Sequence, residues 1–425
     1  MSTVRLRPFA AVAATLMIPA VSFAAEPQAP APAAQALTLT ECYELALARS
    51  EELAIQQELI KESQGRFLQA LSTVAPHVSF VSSDERQDAS GESAFRLRNI
   101  PNRRFTFTQP LFTGFREFAA IAGSRAERRQ RKDDRARAEQ LLLVDVADAF
   151  HLLQEQREDL VTLEAVRTAL SERIEELRQR EQLGRSRQSE LVSAQAQLRR
   201  TEAEIERVRS LDVTAQQLLE FLTGAHIQEL AEEPGLPPIG QEADYLARVD
   251  ERPDVRSADE AWRVARNQVR VTQSELWPAV DLEGNYYTKR AGNSEGIDWD
   301  VLLTVDVPIF EGGQTLGRIK EQASRARQVK LRSDRTRRQA RLDIQNVYAK
   351  LQAAVKRSAA LELALQSAEE NYRLQAEDYR LSLVNNLDVL QALQTLEDAR
   401  RDVIHVKHEA AKLYYQLLAA TGQTL

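Results

Sequence analysis

The stretch FTQPLFTGF at 107–115 recurs as VDVPIFEGG at 305–313, placing Pro110 against Pro308, Phe112 against Phe310 and Gly114 against Gly312 at a spacing of 198. That spacing also pairs Asp145 with Asp343, Phe150 with Tyr348, Leu183 with Leu381, Glu190 with Asp388, Leu198 with Leu396 and Gly224 with Gly422. Roughly 110 residues repeat without a gap, as two copies of one long supersecondary unit would. Upstream the spacing is 202, since Ala75-Pro76 matches Trp277-Pro278 and Glu52-Leu53 matches Asp254-Val255. The difference falls between 77 and 109, which marks a hairpin with a loop, because loops absorb length changes and packed helices do not.

Working outward, each copy reads as helix, hairpin, very long helix, turn, helix. The first repeat spans 38–224. A helix opens at Thr38-Leu39-Thr40-Glu41, with Thr40 expected as its cap, and runs to about Ser72. The hairpin follows at 77–109, with alternation in Val78-Ser79-Phe80-Val81 and Phe105-Thr106-Phe107-Thr108. Glu117 to about Gln182 reads as one helix, close to 100 Å at about 1.5 Å per residue. A turn at 183–187 and a helix from about Gln188 to Leu222 complete the unit, with Gly224 in the stop position.

The linker 225–242 contains LAEEPGLPPIG at 230–240, rich in helix breakers. The second repeat, 243–422, runs from a helix starting near Ala243 or Pro253 and ending at Leu276. A hairpin at 279–308, a helix from Gln314 to about Leu381, a turn at 382–386 and a helix to Ala420 follow. In the second hairpin Trp299, Val301, Leu303, Val305 and Val307 alternate with Asp300, Thr304 and Asp306. That period of two, with Tyr286, Tyr287 and Trp299 near the turn and Trp277 and Phe310 near the strand ends, fits an outer-membrane strand with aromatic girdles, the alternative being an ordinary soluble hairpin.

Arg5 and Arg7 precede an apolar stretch from Phe9 to Phe23, and Ser22-Phe23-Ala24 provides the small residues a signal peptidase needs, so 1–24 reads as a secretory signal peptide. A proline-rich leader, 25–37, follows it. The lone cysteine, Cys42, excludes an intrachain disulfide and reads as a half-buried thiol on the first helix. Charged residues make up 28%, with 63 acidic against 56 basic and a net charge of −7, which argues against nucleic acid as a partner. Only 15 glycines and 14 prolines leave room for long unbroken helices.

Four strands are too few to close a membrane barrel, for which about eight is the minimum, and an open sheet edge cannot face lipid. If the hairpins cross a membrane, several chains must build one barrel. The fold class is therefore mostly α with a small β part.

With this order of elements, and with QPLFTG and VPIFEGG after the hairpins, the chain resembles the TolC-type outer-membrane factors. The turn segments YRLSLVNNLDVLQALQTL at 379–396 and EQLGRSRQSELVSAQAQL at 181–198 are the more specific match. The resemblance covers about Leu37 to Gly422. It implies a homotrimer in the outer membrane, whose four strands per chain sum to a 12-stranded barrel, above a periplasmic coiled-coil tunnel. It further implies an exit duct for tripartite efflux or type I secretion, docked to a periplasmic adaptor and through it to an inner-membrane pump of RND or ABC type. The duct itself is not an enzyme and has no cofactor. Ser382 departs from the pattern, standing where the second turn usually has glycine.

By motif position the resemblance places the periplasmic gate at Asp388 and Glu190, where rings of carboxylates would favour cations, and at Tyr379, which would tie neighbouring helices shut. The tips, Gly184, Arg185 and Ser186 with Ser382, Leu383, Val384 and Asn385, are the expected adaptor contacts, because an exposed Leu383-Val384 pair in a polar turn otherwise lacks a reason. His405 and His408 lie three apart on one helix but lack a third ligand at good spacing, so they read as a solvated face and not a metal site. Arg96, Arg98, Arg103 and Arg104 in the first hairpin read as a solvated external loop, the alternative being contact with lipopolysaccharide phosphates of the outer-membrane lipid. The competing architecture is a periplasmic coiled-coil scaffold without a barrel, which leaves the two matched hairpins unexplained.

Overall fold

Few helix breakers and many oppositely charged residues one turn apart dictate long helices that the protein builds largely from local pairs. The computed structural model describes residues 36–87, 99–291 and 295–425. The signal peptide and nearly all of the leader, with Arg96 and Arg98, lie outside the described residues.

The first repeat begins with α1 (Leu39–Arg49) and α2 (Glu51–Ser72). The cap of α1 is Thr38 and not Thr40: its hydroxyl accepts from Glu41 N while Glu41 Oε2 accepts from Thr38 N, a reciprocal capping box. A break at Ser50, which caps α2 through Leu53 N, divides what the periodicity joins into one helix. Two strands follow, β1 (His77–Arg86) and β2 (Asn99–Thr113), then α3 (Arg116–Gln182) and α4 (Gln188–Thr223). The strand β2 runs past the expected end at 109 through Pro110, and a register shift between Pro110 and Phe112 absorbs the missing N–H.

The second repeat holds α5 (Glu242–Leu246), a turn of 3-10 helix at Val249–Glu251, α6 (Pro253–Gln273) and a second 3-10 turn at Ser274–Leu276. The single helix expected over this region is thus several pieces, with Pro253 starting the main one, as its fixed φ favours. Then come β3 (Ala279–Lys289), β4 (Trp299–Asp306), α7 (Gln314–Arg380) and α8 (Asn386–Ala420). Both α3 and α7 contain 67 residues. Their starts, their ends and the starts of α4 and α8 each differ by 198.

The strands form one antiparallel sheet in the order β1-β2-β3-β4. His77 faces Thr108 in the first hairpin and Ala279 faces Asp306 in the second, positions related by 202 and 198. Below the sheet, α3 packs on α2, α4, α6 and α8, and α7 packs on α6 and α8. Pairs such as Arg173–Glu176 at 2.6 Å and Arg199–Glu202 at 2.7 Å line the helices, each contributing about 0.2–0.5 kcal/mol.

Apolar clusters are strung along the bundle. One gathers Leu39, Cys42 and Ala46 of α1 against Leu143, Val146, Phe150 and Leu153 of α3. Phe150 is fully buried, and its truncation to Ala would cost about 3–5 kcal/mol. Cys42 is fully buried, not half-buried, and burial pushes its thiol up to about 11. A second cluster joins Val255, Ile344, Leu351 and Leu417. There the buried guanidinium of Arg252 donates to Ala340 O and Ala420 O and pairs with Asp254 and Asp343, tying α6, α7 and α8 together.

Candidate functional site

Two surfaces carry the chemistry, the sheet at one end and the helix turns at the other. Strand alternation sorts the sheet into two faces. Phe80 pairs with Phe105, Phe105 with Tyr286, and Tyr286 with Trp299, so one face carries an aromatic row across all four strands. Val78, Phe107, Val301, Leu303 and Val305 extend this face, and all are exposed. The other face is polar and internally bonded. Thr106 Oγ1 donates to Asn285 Oδ1 at 2.8 Å, Asn285 Nδ2 donates to Asp300 Oδ1 at 3.0 Å, and the Tyr287 hydroxyl donates to Asp300 Oδ2 at 2.9 Å. A sheet with one bare apolar face and one polar face suits lipid on one side and water on the other. Among the described residues no helix is long and apolar enough to cross a membrane.

At the far end the two turns share one backbone solution. Gly184 has φ 70°, and Arg185 N donates to Arg180 O while Gly184 N donates to Glu181 O. Ser382 has φ 60°, and Leu383 N donates to Asp378 O while Ser382 N donates to Tyr379 O. Each is a helix stop with a left-handed residue closing the final turn. Ser382 therefore keeps the glycine geometry and carries its strain.

The expected gate residues gather here. Glu190 is half-buried in the first turn of α4 and accepts from Ser186 Oγ at 3.0 Å. Asp388 is half-buried in the first turn of α8, where Oδ2 accepts from Asn385 N at 3.2 Å and Asn385 Oδ1 accepts from Leu387 N and Asp388 N. Both carboxylates sit at the positive end of a helix dipole. Tyr379 is buried among Leu177, Leu191, Val389 and Leu390. Two guanidinium groups lie over its ring, Arg173 at 4.0 Å and Arg180 at 4.5 Å from the centroid, and burial raises its hydroxyl pKa.

The arginines are functional candidates that motif matching misses. Their signal is the seven-residue spacing on α3, which puts both on the stripe facing Tyr379. At the tips Gly184, Arg185, Ser382 and Asn385 are exposed and Ser186 is half-buried. Leu383 is 70% exposed. Val384 is not free, since it packs partly against the Tyr379 cluster.

The histidine reading is corrected. His405 is exposed and bonded to Glu155 at 2.8 Å, but His408 is buried against His151. Among the described residues no group of three ligating side chains is placed to hold a metal. Arg103 and Arg104 belong to β2 and not to a loop.

Residues 248–423 match the outer membrane efflux protein family. The chain is 22% identical over 322 residues to the outer membrane efflux protein BepC of Brucella suis, covering 74% of this chain and 70% of that one. It is 24% identical over 210 residues to nodulation protein T of Rhizobium leguminosarum, where the match spans only 44% of the relative. Among solved structures, the outer membrane protein VceC of Vibrio cholerae superposes with a TM-score of 0.80 at 21% identity, covering 91% of this chain and 96% of the other. At that identity the likeness is one of fold.

Proposed function

We infer that this chain, a member of the outer membrane efflux protein family, is the outer-membrane exit duct of a tripartite efflux or type I secretion system. The observation that carries the reading is the two-faced, four-stranded sheet whose two edges are unpaired among the described residues, set above paired 67-residue helices. Such a sheet is stable in lipid only once its edges are closed. Joining β4 of one copy to β1 of the next, as β2 joins β3 within the chain, closes them, and three copies supply twelve strands.

The two repeats support this assembly through an asymmetry in packing. Any side chain on Gly114 would strike Ser274 and Trp277 at the end of α6, whereas Gly312 faces open space. Ile309 and Phe310, just before it, are 94% and 87% exposed. By the 202 spacing, Ser72 and Ala75 of a neighbouring copy are the residues that would cover Gly312. The helix pair α3 and α6 likewise has its counterpart in α7 with α2 of the neighbour.

In this reading three copies bring Glu190 and Asp388 into rings that narrow the periplasmic end, with Tyr379 and its two arginines holding the helices together. The exposed turns around Gly184 and Leu383 meet the periplasmic adaptor, which links the duct to an RND-type or ABC-type inner-membrane pump. One relative, of Pseudomonas aeruginosa, is named alkaline protease secretion protein AprF, and that name favours including secretion beside efflux. Planar-bilayer conductance of the purified protein, with its mass checked for a trimer, tests the reading. A stable trimeric pore is expected; a non-conducting protein stripped from membranes by urea would reject it.

A further inference from the structure

The contact of α3 with α8 is the main junction between the two long helical hairpins, α3 with α4 and α7 with α8, and it lies wholly within one chain. It is charged in one direction. Arg401, Lys407 and Lys412 of α8 pair with Asp159, Glu158 and Glu155 of α3 at 3.1, 2.9 and 3.1 Å, and His405 bonds Glu155 at 2.8 Å. At the centre two histidines meet, His151 from α3 and His408 from α8, each 2% exposed, with their Nδ1 atoms 3.4 Å apart.

This pair has room for one added proton and not for two. A neutral imidazole has one donor nitrogen and one acceptor, whereas a cation has two donors. His408 as the cation keeps Glu158 Oε1 at 3.3 Å from its Nε2 and donates through Nδ1 to neutral His151. His151 as a second cation would set N–H against N–H, and its Nε2 is buried with no hydrogen-bond partner among the described residues. Burial first, then the charges of His408, Lys412 and Lys407, hold the His151 pKa down at about 3. The remaining titratable groups around the pair are Tyr414 and Tyr415 of α8, Glu232 and Glu233 of the linker and Glu362 of α7. Tyr415 stacks on His151 and donates its hydroxyl to Glu233.

The corresponding seam of the other repeat lacks the feature. Shifted by 198, His151 and His408 become Ala349 of α7 and Ser210 of α4, while Glu155 and Glu158 become Ala353 and Lys356. In the assembly inferred above, that seam joins α7 to α4 of a neighbouring copy. Acid therefore acts inside each copy and not between copies.

We propose that the α3–α8 seam is an acid-released clasp: in mild acid His151 takes up a proton that it can hold only by parting from His408, and α7 with α8 swings away from α3 to open the tunnel without dissociating the trimer. The proposal rests on the reading of the chain as a duct. His408 lies about 30 Å along α8 from Asp388, at about 1.5 Å per residue, so the clasp is separate from the carboxylates at the tip.

Bilayer conductance of the purified protein at pH 7.5 and 5.0 tests it. A histidine titrating at 6.5 when free and at about 3 in the seam favours the open state as pH falls, by up to about thirtyfold per copy over this interval. Wild-type open probability should rise with that sign, and the trimer should survive pH 5.0 on seminative gels. H151F, which has no imidazole to protonate, should open no more at pH 5.0 than at 7.5, while Asp388→Asn with Glu190→Gln should keep the response. Should H151F fail to assemble, Asp148→Cys with Gln416→Cys, whose native side chains touch across the same seam at 3.4 Å, can be bridged by a short reducible bis-thiosulfonate. The bridge should abolish the response until it is reduced. A response retained in H151F or in the bridged protein, a response lost with the tip carboxylates, pH-independent conductance of the wild type, or loss of the trimer at pH 5.0 overturns the clasp and leaves the duct. A protein that conducts at neither pH rejects the duct, and the clasp with it.

Discussion

Gly184 and Ser382 stand 198 residues apart in the same left-handed backbone, at φ 70° and 60°, with matching pairs of hydrogen bonds closing the helix before each. One turn pays no steric cost and the other does. A non-glycine residue in this region loses about 1–2 kcal/mol. Ser382→Gly should therefore raise the melting temperature of the purified protein by a few degrees and Gly184→Ser lower it by a similar amount. Equal and negligible shifts in both would show that neither turn limits stability.

The packing of α6 on α3 fixes a second expectation, for the junction between copies. A side-chain carbon on Gly123 would sit 3.5 Å from Asn267 Cβ, near the spacing a disulfide needs. Shifted by 198 and 202, these positions become Glu321 and Gly65. Gly65→Cys with Glu321→Cys should cross-link neighbouring copies, visible as a ladder ending at trimer on non-reducing gels. The one native thiol, Cys42, is buried and should not interfere. A trimer without cross-links would place the junction elsewhere; absence of a trimer would remove the assembly itself.

Acid should loosen the bundle in two stages of the same sign. Burial lowers the pKa of His151 from 6.5 to about 3, so the unfolded chain binds its proton first and stability falls as pH drops from about 6.5 toward 3. The Glu158 carboxyl is lowered from 4.5 to about 2, chiefly by its hydrogen bond from His408, and its contribution is lost as pH falls through that lower window. Melting temperatures from pH 7.5 to 4.5 should decline, and H151F should flatten the decline.

The proposed gate separates by substitution. Asp388→Asn with Glu190→Gln should reduce cation selectivity in bilayer conductance, since neutral rings no longer concentrate cations. Tyr379→Phe keeps the ring contacts with Arg173 and Arg180 and should leave resting conductance near wild type. Tyr379→Leu removes both ring contacts, worth about 0.5–2 kcal/mol each, and should raise it. A rise with Phe alone would assign the tie to the hydroxyl.

How legible this was follows the range of each interaction. The two long helices and both turns are written in local signals such as helix stops and hydrophobic period, so their limits emerge within a residue or two. The cap at Thr38 escaped because Thr40 competes with it, and only the reciprocal bond to Glu41 decides between them. The break at Ser50 is similar, since its hydroxyl serves equally well inside a helix or as a cap. The burial of His408 depends on His151, 257 residues away in the chain, and no spacing along one helix reports it. Arg173 and Arg180 became meaningful only when α3 met Tyr379 across the bundle.

The equal length of α3 and α7 makes the pair a ruler. Removing seven residues from one helix alone would set its turn about 10 Å above the other, so Gly184 and Ser382 would no longer present one level rim to whatever meets them. Changes in reach must then be made twice, in step, a discipline that two helices of matched length impose at every length they adopt.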